Sequence, residues 1–132
     1  MNKLTLIARI LLGGGFVVFG INKFANFMPP PELSDEGAAR FIGALVDSSV
    51  RFWELLAVTE IVGGLMVLSG VFVPLGLVVL APVVVNILLF HAAGDTAGLP
   101  IALVFVALEA YLGFFAYRSA FKPLLTPGTG PC

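Results

Sequence analysis

The sequence predicts an all-α integral membrane protein: a four-helix up-down bundle with a short amphipathic helix in its first extracytoplasmic loop. Three observations carry this expectation. Of the 132 residues 59% are hydrophobic and only 11% charged, with a mean hydropathy of +1.07, a balance that no water-soluble domain of this length keeps in solution. Four apolar stretches each approach the ~20 residues that cross ~30 Å of hydrocarbon as a helix. They are continuously apolar rather than alternating, which excludes a transmembrane β-barrel. The joins between the second and third and between the third and fourth stretches are short, so consecutive spans are antiparallel neighbours.

Span one is expected over residues 4–24. Lys3 ahead of an apolar run resembles the start of a signal peptide, but the run is long, contains Arg9 and ends without a small-residue cleavage site, so it reads as a retained span. The long connection 25–51 opens on Pro29, Pro30 and Pro31, a stiff extended element. Ser34 then offers an N-cap ahead of Asp35 and Glu36, and Ala38, Phe41, Ile42, Leu45 and Val46 recur at helical spacing. This predicts an amphipathic helix on the membrane surface, a covered linker or a lid over the bundle mouth. Spans two to four are expected over 52–70, 74–92 and 99–117, with a kink at Pro82. Residues 1–125 form a single transmembrane domain, and 126–132 a flexible tail. Cys132, the only cysteine, forms no internal disulfide and lacks the residues that a prenylation signal requires after it.

An even number of spans places both termini on one side. Lys3, Arg9, Arg118 and Lys122 gather there without an acidic residue, so the positive-inside rule puts the termini in the cytoplasm of a bacterial inner membrane. Glycines 13, 14, 15 and 20 in span one, 63 and 64 in span two, and 113 in span four are expected where helix backbones touch.

A charge in hydrocarbon is costly, so the few polar residues of the spans are the candidate site. At 1.5 Å per residue from the outer boundary, Glu60 lies roughly 12 Å deep, Asn86 roughly 9 Å and Glu109 roughly 15 Å, with Asn22, Lys23 and His91 at the outer rim. Glu60 and Gly64 share a helix face, as do Glu109 and Gly113, which turns both carboxyl groups towards neighbouring helices and hints at a duplicated hairpin. Glu60 and Glu109 are the candidate catalytic, proton-handling residues; Asn22, Lys23, Asn86 and His91 are the candidate cofactor-binding ones. Glu60 has Asn86 as a partner, or Lys23 if its stem folds inward, and Arg9 either snorkels to the cytoplasmic interface or reaches towards Glu109.

A single histidine and no paired ligand spacing argue against a metal site. Nucleotide-binding and serine-hydrolase motifs are absent, and a net charge of −1 argues against nucleic acid as a partner. A quinone or lipid head group needs only a carboxyl, an amide or a histidine beside an apolar slot, which this chain can supply, so a quinone is the candidate cofactor. The remaining readings are a non-catalytic scaffold or assembly factor, whose polar groups only lock the helices together, and a small permease, which at this length would work as a homo-oligomer.

The runs Ala8-Arg9-Ile10-Leu11-Leu12-Gly13, Phe19-Gly20-Ile21-Asn22-Lys23-Phe24 and Thr59-Glu60-Ile61-Val62-Gly63-Gly64-Leu65 resemble the DoxX family of small bacterial membrane proteins. Pro82 to His91 and Ala116-Tyr117-Arg118 extend the likeness over nearly the whole chain. The resemblance implies four transmembrane helices in the inner membrane and an association with redox metabolism. The related DoxD proteins are subunits of a thiosulfate:quinone oxidoreductase, so an oxidoreductase partner subunit is the partner implied, beside the lipid bilayer itself.

Overall fold

The computed structural model describes residues 1–128, 130 and 131; Thr129 and Cys132 lie outside the described residues, and the expectation for Cys132 with them. The fold is all-helical, and four of its helical stretches are long and apolar enough to cross a membrane: Lys3–Ala25, Phe52–Ser69, Val73–Ala93 and Thr96–Ala116. Each begins and ends within a few residues of its expected bounds.

Helix α1 (Lys3–Ala25) starts where the Asn2 side chain accepts the Thr5 N–H at 2.7 Å. It stops at Asn26, which turns left-handed (φ 49°) and returns its N–H to the Asn22 carbonyl. Helix α2 (Glu36–Asp47) is the surface helix of the long connection. Its cap is Asp35 rather than Ser34: Asp35 Oδ2 accepts the Ala38 N–H at 2.7 Å, and a carboxylate serves the helix dipole as well as the orphan N–H. Helix α3 (Phe52–Ser69) ends at Gly70, whose φ of +84° suits a residue without Cβ. Helix α4 (Val73–Ala93) runs through Pro82, and helix α5 (Leu99–Tyr111) follows a single 3₁₀ turn. An irregularity not foreseen from sequence closes α5: Leu112–Ala116 form a π turn, in which the Tyr117 N–H reaches back five residues to the Leu112 carbonyl at 2.8 Å. A short helix α6 (Arg118–Phe121) and a 3₁₀ turn (Lys122–Leu125) follow.

In space the order is α1, α3, α4, α5, with α5 closing back on α1. The tightest seam joins α1 to α3. A Cβ on Gly13 would come within 2.7 Å of the Gly64 carbonyl oxygen, one on Gly64 within 2.8 Å of the Gly13 carbonyl oxygen, and one on Gly20 within 2.8 Å of the Ala57 carbonyl oxygen. Gly63 and Gly76 bring α3 and α4 together in the same way, while Gly15 receives the Phe105 ring of α5. Lipid is as apolar as leucine, so this close approach, not water exclusion, is what holds the helices. Two glycines depart from expectation. Gly14 faces only the tip of Leu68, and Gly113, inside the π turn, has no neighbour for a Cβ to meet.

The core is a column of Ala8, Leu12, Phe16, Val67, Leu77, Leu80, Val84 and Leu112, with Phe105 edge-on to Phe16 at 5.1 Å. Outward-facing leucines, isoleucines and valines such as Ile7, Leu11, Leu65, Leu75 and Ile101 remain exposed and meet the bilayer. Helix α2 lies across the end of the bundle away from the termini, here the far end; its buried Ala38 rests against Gly94 and its Phe41 lies near Phe90.

Gly64→Leu should lower the thermal stability of the detergent-solubilised protein by about 1–3 kcal/mol through overpacking of the α1–α3 seam. Gly113→Ala should leave the melting temperature unchanged or raise it slightly, because the site is open and alanine is the better helix former. Gly70→Ala should be destabilising as well, since alanine is strained at that φ and its methyl group would strike the Arg9 guanidinium.

Candidate functional site

Every Cα–Cβ bond of a helix tilts towards its N-terminus, and α1 and α3 are antiparallel. Lys23, near the C-terminal end of α1, therefore tilts into the bundle, while Glu60 tilts towards the far end. Gly20 stands level with Ala57 and Ile61, so Lys23 starts about one turn nearer the far end than Glu60, and the two side chains close that gap. Lys23 Nζ donates to Glu60 Oε2 at 2.6 Å, with side-chain exposures of 13% and 3%. Trp53, two turns before Glu60 on α3, covers the ammonium group with its ring centroid 5.0 Å away. The result is a buried cation held between a carboxylate and an indole.

The other candidates do not join this pair. Asn22 caps the turn after α1, its side-chain oxygen accepting the Met28 N–H at 2.8 Å. Asn86 is exposed on α4 and donates to the Pro82 carbonyl at 2.8 Å. His91 turns into the end of α4, where Nδ1 lies 3.0 Å from Asp95 Oδ2. Glu109 sits half-buried on α5, and its Oε2 is buried without a hydrogen-bond partner among the described residues. The glycine four residues on does not pack, so the parallel between Glu60–Gly64 and Glu109–Gly113 is one of spacing only.

Arg9 does not reach Glu109; it turns to the end of the bundle that carries the termini, but it is buried there against α3 instead of lying free at the interface. It is 7% exposed, and its Nε and Nη2 donate to the carbonyls of Val67 and Leu68 at 2.9 and 3.1 Å. It thereby caps the C-terminus of α3, where carbonyls lack helical partners and the helix dipole favours a cation. Trp53 and the cap role of Arg9 were missed from sequence, although both carry a signal. Trp53 is seven residues before Glu60 on one helix face, and Arg9 lies across from the last turn of α3 once the glycines set the register.

Among the described residues, open clefts lie at both ends of the bundle. At the far end, a cleft of about 320 Å³ between α2 and α4 is lined by Asp35, Ala38, Phe41, Asn86, Leu89 and Phe90 among others. At the end that carries the termini, a cleft of about 470 Å³ lies between the start of α1 and the π turn. No cluster of three or more potential metal-ligating side chains occurs among the described residues.

Compared with known proteins, the chain matches the family model described as DoxX over residues 4–92, two-thirds of its length, which takes in the buried pair and Asn86 but not Glu109. No curated protein and no solved structure matches it.

Breaking a buried ion pair from one side leaves the other charge unpaired in low dielectric. Lys23→Met should therefore lower stability in detergent by about 3–5 kcal/mol, whereas Lys23→Met combined with Glu60→Met should recover most of the loss. Thermal melts of the single and double variants check this; additive losses would show that the pair is not coupled.

Proposed function

We propose that this chain, which belongs to the DoxX family, is the membrane subunit of a redox system and receives a lipid-soluble quinone in the far-end cleft between α2 and α4. The observation that carries this reading is the lining of that cleft: one amide, one carboxylate and two aromatic rings around about 320 Å³ of space, at the small end of the range for ligand sites. Phe41 and Phe90, with ring centroids 6.1 Å apart and planes tilted by 34°, pack against each other and give one apolar surface on which a flat ring can lie.

Asn86 binds and orients. One hydrogen of its amide is engaged by the Pro82 carbonyl, which leaves the second to donate to a ring carbonyl and Oδ1 to accept from a ring hydroxyl. Asp35 holds the Ala38 N–H with Oδ2, which leaves its other oxygen to accept a hydrogen bond from a ring hydroxyl at the mouth of the cleft. The quinone supplies two-electron, two-proton carrier chemistry when bound; an oxidoreductase partner supplies the electrons. Lys23 and Glu60 serve this site at a distance by holding α1 against α3, so the direct role moves from Glu60 to Asn86.

Equilibrium binding of a short-chain benzoquinone to the purified protein tests the proposal. Saturable binding is expected, weakened roughly tenfold in Asn86→Leu, the loss that accompanies one to two hydrogen bonds. Absence of saturable binding, or binding unchanged in both Asn86→Leu and Phe41→Ala, overturns it.

A second reading, a non-catalytic scaffold for a partner complex, draws on a different observation: both inward cations of α1 are engaged by α3, Arg9 through backbone carbonyls and Lys23 through Glu60. Under that reading Asn86→Leu leaves the activity of the assembled complex intact, while Lys23→Met lowers the amount of complex formed.

A further inference from the structure

The cleft at the end carrying the termini has a different chemistry from the one opposite. Its walls are Met1, Asn2, Thr5, Tyr111, Phe115 and Tyr117 with Ala116, around about 470 Å³. The π turn forms one side of it: the wide turn at Leu112–Ala116 interrupts α5, and the chain bends at Tyr117 (φ −113°) into the short helix α6. The same turn leaves Phe115 71% exposed to the bilayer, with its ring lying nearly parallel to Tyr111.

Inside the cleft the hydroxyls of Thr5 and Tyr111 meet at 3.1 Å. One of the two hydrogens makes that bond, so the other is left for a ligand. Asn2 accepts the Thr5 N–H with Oδ1 at 2.7 Å, which leaves its amide hydrogens to donate. The lining carries no carboxylate, so its polar groups are weighted towards donors. Charge agrees with this. Lys3 directly follows Asn2 and Arg118 directly follows Tyr117, both are exposed, and seven of the eight acidic residues lie between Glu32 and Asp95; the eighth, Glu109, stands two residues before Tyr111 on α5 but does not line the cleft. A ligand rich in acceptors, negatively charged and joined to an apolar chain fits each of these features.

We infer that this cleft binds an anionic phospholipid, its phosphodiester held by the Thr5–Tyr111 hydroxyl pair and the Asn2 amide, flanked by Lys3 and Arg118, and its acyl chain lying along Phe115. Cations beside a membrane span attract anionic lipid in general. What is particular here is an open recess whose hydroxyl and amide donors hold the phosphodiester, while Lys3 and Arg118 favour a lipid whose head group carries no cation of its own. The site is independent of the quinone proposal, lies at the opposite end of the bundle and shares no residue with it.

The test uses the full chain, delipidated in a neutral detergent, with added phosphatidylglycerol, phosphatidylcholine or inorganic phosphate. Phosphatidylglycerol should raise the melting temperature and remain bound in native mass spectra, while phosphatidylcholine and inorganic phosphate should do neither. The combined variant Thr5→Val, Tyr111→Phe should bind phosphatidylglycerol roughly tenfold more weakly, as expected for a lost hydrogen bond to a charged group. Arg118→Ala, a surface change that leaves the hydroxyl pair intact, should reduce the preference for the anionic lipid. Equal stabilisation by the two lipids, stabilisation by inorganic phosphate alone, or undiminished phosphatidylglycerol binding in both variants overturns the inference.

Discussion

The backbone contact between α1 and α3 is the constraint on which the rest of the molecule depends. In hydrocarbon, apolar side chains gain nothing by leaving lipid for one another, so helices associate where their backbones can come close enough for dense packing. Gly13, Gly20 and Gly64 create that approach, each where a methyl group would strike the facing main chain. The seam also sets the register of two antiparallel helices, and the register decides which polar groups meet. One turn of slippage would separate Lys23 from Glu60 and remove Arg9 from the last carbonyls of α3.

Both cations illustrate how direction along a helix governs polar contacts inside a membrane. Side chains lean towards the N-terminus of their own helix. Near the start of α1 this carries Arg9 to the interface, where α3 ends and its carbonyls need donors. Near the end of α1 the same lean carries Lys23 inward, to a carboxylate that leans outward from α3 to meet it. A lysine at a helix end is ordinarily expected to snorkel, but here the seam places an acid within reach and an indole above it, and the ion pair wins.

The polar residues thus divide by place. Lys23, Glu60 and Trp53 form a closed element within the bundle. Asn86 opens on a cleft under α2, and Thr5 with Tyr111 opens on a cleft bounded on one side by the π turn. The two clefts arise where helical regularity ends, at a surface helix in one case and at a five-residue hydrogen bond in the other, because uninterrupted apolar helices leave little room for a ligand between them.

What the sequence by itself determined was the set of helices. Continuous apolar runs of membrane-crossing length have one low-energy form in hydrocarbon, since each backbone N–H and C=O must be satisfied within its own segment, and short joins dictate antiparallel neighbours. It also marked Gly13, Gly20, Gly64, Lys23 and Glu60 as residues of consequence. Hydropathy reports depth along the membrane normal and is silent on rotation about each helix axis, so only the tertiary structure decided that Glu60 meets Lys23, that Asn86 faces outward and that His91 turns to Asp95. The identical spacings Glu60–Gly64 and Glu109–Gly113 show the reason. The first lies on the α1–α3 seam and becomes a packed, paired face. The second runs into a π turn, which places its glycine in open space and leaves an oxygen of its carboxyl group buried without a hydrogen-bond partner among the described residues.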